Sequence, residues 1–156
     1  DCHFVIAGDG PFYANLRLLA RGQKEKVTFT GNISDSRMRA FMNSCELFVL
    51  PSISASETFG LVQLEAMAAG KAIINTNLPT GVPEVSLHEK TGLTIEPRNA
   101  PALARALNEL IKDEEKRRKY GQAARDRLIE CYSVEKMALS TVDVYKELMK
   151  EGESKE

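Results

Sequence analysis

Strand-length apolar runs recur along the chain at HFVIAG (3–8), KVTFTG (26–31), ELFVLPS (46–52), KAIINTN (71–77) and TGLTIEP (91–97), with segments of helical spacing between them. This alternation leaves few architectures open. Successive parallel strands need a crossover that packs on a sheet face, so β and α segments taken in turn predict an α/β fold. We expect a parallel sheet with helices on both faces. HFVIAG, a near-continuous apolar run ending in glycine, reads as a strand buried on both sides.

Helical spacing is clearest in PFYANLRLLARG (11–22), where Phe12, Leu16 and Leu19 share a stripe and Gly22 is a stop. SDSRMRAFMNSC (34–45) opens on good N-cap residues and carries Met38, Phe41 and Met42 on one face. GLVQLEAMAAG (60–70) ends at Gly70, and TGVPEV (80–85) reads as a Gly-Pro turn leading into a short helical start. Beyond Pro97 the character changes to three charged amphipathic helices, 100–113, 114–132 and 133–150. Residues 1–150 then make one domain. The tail 151–156 has no apolar anchor and is expected to be disordered.

The bulk numbers exclude several classes. A chain of 156 residues, 43% apolar and 28% charged, can bury roughly two-thirds of its unfolded surface without staples. A net charge of −1 gives no electrostatic case for nucleic acid. Cys2, Cys45 and Cys131 lie far apart with no histidine at ligand spacing, so neither a disulfide framework nor a zinc site is expected. Cys45, in an apolar segment, reads as a small core residue of a reduced, cytoplasmic protein. No run reaches the ~18 apolar residues that a spanning helix needs. The chain also enters its first strand with no lead-in, as a segment cut from something larger would.

Two stretches could carry chemistry. AGDGPFY invites a dinucleotide reading, but Tyr13 stands where the third glycine belongs and no acid ends the next strand. A tight strand-to-helix turn is the simpler account. SETFGLVQLE (56–65) places Glu57 and Glu65 eight positions apart. A helix starting near Phe59 or Gly60 would aim its first backbone N–H groups past the strand ends, where anions bind, and Gly60 would let an anion approach closely. Glu57 would lie in the loop, and Glu65 about 7–9 Å along the helix axis from its first turn. Each carboxylate can take two hydroxyl protons, as sugar diols offer them. A helix-start acid favoured by the dipole and a solvated glutamate account for the same spacing.

FVIAGDGP, VTFTGNIS, CELFVLPSISASETFGLVQLEAMAAGKAIINTN, TGVPE and TGLTIEP, in this order and spacing, together resemble the C-terminal domain of family-four retaining glycosyltransferases of the GT-B fold. The resemblance covers about residues 3–135. It implies a Rossmann-like sheet and a site for a UDP- or GDP-sugar. In that reading Glu57 positions the donor sugar by its hydroxyls, as the nearest thing to a catalytic residue, and Glu65 holds the ribose. The N–H groups of Phe59, Gly60 and Leu61 meet the diphosphate or sugar. Gly31, Asn32 and Ile33 border the base, Gly8 and Gly10 sit at the mouth of the cleft, and Thr80 and Gly81 form a loop beside the sheet edge. Glu84 in that loop reads as a helix cap.

The resemblance further implies hexose transfer with retention to a glycan or lipid-linked acceptor, in cell-envelope, capsular or exopolysaccharide synthesis. No metal or other cofactor is expected. The acceptor would be held by an N-terminal domain absent from this chain, as are the first strand and helix of the donor half, so the chain alone is expected to transfer no sugar. Without that partner domain, Val134, Met137, Leu139, Val142, Tyr145 and Leu148 of the last helix would be partly exposed. A nucleotide-sugar epimerase of the same architecture and a non-catalytic nucleotide-binding module are the competing readings. His88 reads as an ordinary loop histidine. EEKRRKY (114–120) reads as a solvated helix face, with peripheral association of the longer enzyme at the inner membrane face as the alternative.

Overall fold

The computed structural model describes the backbone of residues 2–153 and the side chains of 2–150. The chain forms two compact units, residues 1–41 and 42–156. In the smaller one, β1 (Phe4–Ala7) pairs in parallel with β2 (Val27–Gly31), and α1 (Tyr13–Leu19) with a following 3-10 turn at Arg21–Gln23 makes the crossover. Helix α2 (Asp35–Ser44) leads out of it.

β1 departs from expectation. Phe4, Val5 and Ile6 are 39%, 45% and 37% exposed, so the strand is not buried on both faces. Among the described residues its ladder partner is β2, and a two-stranded ladder with one short helix has too little surface to cover it. The Phe12, Leu16 and Leu19 stripe is exposed for the same reason.

The larger unit carries the core. β3 (Leu47–Val49), β4 (Ala72–Thr76) and β5 (Gly92–Ile95) form a parallel sheet in that order. The α/β class with parallel strands holds, with the ladder divided between the two units. Crossovers are α3 (Val62–Ala68) after β3 and α4 (Val82–Val85) after β4. Every residue of β4 is buried.

Alternate strand residues face opposite sides. Ala72 and Ile74 of β4 join Leu93, Ala106, Leu110 and Tyr120 in one apolar cluster beneath α5 (Ala100–Lys112) and α6 (Glu114–Tyr132). Both helices are stopped and started cleanly. The Asn99 side chain accepts the Ala102 N–H at 3.0 Å, and Asp113 Oδ1 accepts the Lys116 N–H at 2.8 Å. Cys45 is half-buried rather than part of the core, its thiol pKa pushed up by burial against a smaller lowering by Lys71.

Part of EEKRRKY is not solvated. Arg117 donates to the Leu110 and Ile111 carbonyls, each at 2.7 Å, and to Glu46 Oε2 at 3.1 Å, closing the C-terminal end of α5. α7 (Val134–Glu153) runs three residues into the expected tail, and residues 154–156 lie outside the described residues. Along α7, Val134, Met137, Leu139, Val142, Tyr145 and Leu148 are exposed, as anticipated.

α6 meets the turn between α3 and β4 through a backbone contact. A Cβ on Gly121 would stand 2.0 Å from the Gly70 carbonyl oxygen, which no packing can absorb. Gly121→Ala is therefore expected to lower stability by at least the ~1–3 kcal/mol typical of overpacking. Gly22→Ala, with nothing within 4 Å of the new methyl group, should leave the thermal midpoint close to that of the unmodified chain. Thermal melting by circular dichroism checks both.

Candidate functional site

The residues singled out in the sequence fall in both units. In the smaller one, the Gly8 N–H donates to Gly31 O at 2.9 Å, and Gly10 O accepts the Tyr13 N–H at 2.9 Å where α1 begins. The turn after β1 and the end of β2 are thereby joined. Asn32 is exposed and Ile33 half-buried just beyond β2. Gly8 and Gly10 border an open apolar hollow of about 250 Å³ walled by Ile6, Phe12, Tyr13 and Phe29. Tyr13 meets Phe29 edge-on, with ring centroids 5.9 Å apart.

In the larger unit the remaining candidates, apart from Glu65 in α3, lie on two turns at the carboxyl edge of the sheet. The first, after β3, holds Glu57, Phe59, Gly60 and Leu61; the second, after β4, holds Thr80 and Gly81. They are bonded directly. Gly81 N–H donates to Thr58 O at 2.8 Å, and a Cβ on Gly81 would stand 3.0 Å from Phe59 Cδ2. Thr76 at the end of β4 donates its hydroxyl to Ser52 O at 2.7 Å, tying the base of the first turn to the sheet.

Three details differ from expectation. α3 begins at Val62, with Leu61 as its N-cap, so Glu65 falls in its first turn. Its distance along the axis from Val62 is about 4.5 Å rather than 7–9 Å. The late start follows from Gly60, whose φ of +72° is not helical.

Gly60 also has a different reason to be glycine. A Cβ there would meet Leu50 Cδ2 at 2.7 Å and Gln63 Nε2 at 2.8 Å, so its bare Cα faces the protein interior. The third difference concerns the backbone donors. The Gly60 N–H is taken by Glu57 Oε1 at 3.1 Å, with Ser52 Oγ at 3.5 Å from the other carboxylate oxygen. Glu57 is thus a turn-capping acid in this structure. For the Phe59 and Leu61 N–H groups there is no acceptor among the described residues.

Glu65 is exposed and Glu57 half-buried. Glu84 sits in the first turn of α4, but the N-cap is Gly81 and no side chain caps the helix. His88 is a loop residue whose Nδ1 accepts the Thr94 N–H at 3.0 Å. Among the described residues no cluster of three or more His, Cys, Asp or Glu is placed to hold a metal ion, and no helix is long and apolar enough to cross a membrane.

Sequence reasoning missed the residues that support these turns. Gln63 and Asn75 form a buried amide pair between α3 and β4. Arg127 donates to Glu84 O at 2.8 Å and Val85 O at 3.1 Å, and Tyr132 donates to Glu84 O at 3.2 Å, closing the end of α4. Tyr132 also meets Phe59 edge-on, with centroids 5.8 Å apart. A signal existed for the amides. Gln63 stands in register with Ala66 and Met67 on the inward stripe of α3, and Asn75 ends the apolar run Ala72–Ile74. For Arg127 and Tyr132 none existed.

Comparison with known proteins gives a consistent result. The profile of the family described as "Glycosyl transferases group 1" matches residues 1–127. The O-antigen chain mannosyltransferase C of Escherichia coli is 32% identical over 146 residues, which is 93% of this chain and 39% of that protein. A GDP-mannose-dependent alpha-(1-6)-phosphatidylinositol monomannoside mannosyltransferase of Mycobacterium tuberculosis is 36% identical over 129 residues, 78% of this chain and 33% of that protein. The crystal structure of Anabaena HepE in complex with UDP superposes with a TM-score of 0.84 at 23% identity, covering 94% of this chain and 41% of that one. At that identity the likeness speaks for the fold. The chain spans 33–41% of the length of these three proteins.

The two acids should separate in stability. Glu57→Ala removes an acceptor from Gly60 and is expected to cost about 0.5–2 kcal/mol, as lost caps do. Glu65→Ala, on an exposed face, should stay within about 0.5 kcal/mol of the unmodified chain. Urea unfolding of the two variants reads the difference.

Proposed function

The chain belongs to the glycosyl transferases group 1 family, and from that premise we propose that it binds the nucleotide-sugar donor for a longer enzyme. That enzyme moves a hexose from a UDP- or GDP-sugar to a glycan or lipid-linked acceptor. The observation that carries the reading is the pair of turns bonded side by side, Gly81 N–H to Thr58 O, at the carboxyl edge of a parallel sheet. Open α/β sheets bind their ligands at that edge. The GDP-mannose dependence in the name of the mycobacterial relative and the UDP held by Anabaena HepE support a nucleotide-linked donor. The O-antigen role in the name of the Escherichia coli relative supports a cell-envelope acceptor.

Glu57 keeps two tasks in this proposal. A carboxylate offers about four acceptor sites, and the bonds to Gly60 and Ser52 leave room for sugar hydroxyls. Its capping bonds hold the carboxylate in place while a sugar docks. Glu65, exposed in the first turn of α3, takes the ribose hydroxyls. The Phe59 and Leu61 N–H groups, with Thr80 and Gly81 alongside, face the diphosphate or sugar. Within the smaller unit, Gly31, Asn32 and Ile33 are the base-binding residues, with Gly8 and Gly10 beside them in the turn after β1. Transfer proceeds with retention and without metal, backbone N–H groups stabilising the leaving diphosphate. The enzyme works in the cytoplasm, at the inner membrane face where the acceptor is lipid-linked.

Calorimetric titration with UDP, GDP and ADP tests the reading. We expect UDP or GDP to bind, and Glu65→Ala to weaken that binding by about tenfold, the ~1.4 kcal/mol scale of a charge-assisted hydrogen bond. Glu57→Ala should weaken the nucleotide sugar more than the free diphosphate. Binding of none of the three at millimolar concentration would overturn the proposal. The chain alone, mixed with donor, is expected to transfer no sugar; turnover by it would show that the acceptor domain is dispensable.

A further inference from the structure

β4 is wholly buried and opens on three apolar residues, yet its fourth residue is an amide. Asn75 Oδ1 has no hydrogen-bond partner among the described residues, a penalty that a leucine in its place would not incur. What Asn75 contributes is its donors. Nδ2 lies 3.0 Å from Gln63 Oε1, 2.9 Å from Val82 O and 3.1 Å from Ser86 O. Gln63, itself fully buried, turns its own Nε2 to Phe59 O and Val82 O, each at 3.2 Å. Val82 O therefore accepts from both amides. The two side chains reach the carbonyls at the end of the first turn and on both sides of α4, so each turn is held through the same pair.

We propose that Gln63 and Asn75 are positioning residues, an amide clamp that fixes the Phe59–Leu61 turn and the Thr80–Ser86 segment relative to each other and thereby sets how tightly the donor diphosphate binds. The clamp touches no ligand. It acts through the backbone of Phe59 and Val82, and its part in binding rests on the nucleotide-sugar reading above. An apolar pair would fill the same space without locking the two turns, because dispersion contacts lack the directionality of four amide-to-carbonyl bonds.

Backbone hydrogen exchange by NMR reads the clamp with no ligand present, at the Gly81 N–H that donates to Thr58 O. Asn75→Ala and Gln63→Met are expected to speed exchange at Gly81 at least tenfold relative to the amides of β4. Leu110→Ala, in the apolar cluster with Ala72 and Ile74, should speed Gly81 and β4 alike. UDP and GDP titrations of folded protein should show Kd raised at least fivefold in the amide variants and within twofold of the unmodified chain in Leu110→Ala. Should Asn75→Ala fail to fold, Gln63→Met decides. Unchanged relative exchange at Gly81 overturns the clamp; faster exchange with unchanged Kd overturns its role in binding. If the unmodified chain binds neither nucleotide at millimolar concentration, the nucleotide-sugar reading falls and the binding role with it, while exchange still decides whether the clamp exists.

Discussion

The approach of Gly121 to Gly70 is the contact on which the larger unit depends. With no side chain on either residue, α6 lies against the end of α3 at backbone distance, where a methyl group would stand 2.0 Å from a carbonyl oxygen. Tyr120, beside it, drops into the cluster that covers one face of β4. From that seat the helix continues to Arg127 and Tyr132. Their side chains then meet the α4 carbonyls and Phe59. One tight crossing sets the core on one side of the sheet and the turns at its edge.

The strands were legible because an apolar run between glycine and proline has few other uses, and all five appear within a few residues of their expected limits. The helices after Pro97 were legible from their amphipathic period. How deeply a strand is buried was not. HFVIAG has the composition of a central strand, but burial depends on what packs against it, and among the described residues β1 pairs with β2 alone. Arg117 was hidden for the opposite reason. Within a run of charges, nothing local distinguishes the guanidinium that turns back onto the Leu110 and Ile111 carbonyls from its solvated neighbours.

At the candidate site the residue types were readable and their geometry was not. Glu57 and Glu65 stand on the turn and helix where the pattern put them. The start of α3, however, depends on a positive φ at Gly60 and on a carboxylate folding back to the Gly60 N–H. A run such as Phe-Gly-Leu-Val specifies neither. Capping and ligand binding need the same acid in the same loop, so spacing alone could not separate them, and the structure shows the first in place. The amides of Gln63 and Asn75 were visible as polar residues at inward positions, but their pairing joins segments that meet only when α3 and β4 pack.

Glu84 and Tyr132 are joined through a hydrogen bond that spans 48 residues of chain. A ribosome has long finished both acidic positions and both turns before Tyr132 is made. Until α6 is complete, the end of α4 lacks its tether and Phe59 lacks its aromatic neighbour. Assembly of the sheet edge is therefore coupled to synthesis of α6. A polypeptide cut short within α6 would keep every residue that points to sugar chemistry while losing what holds those residues in register.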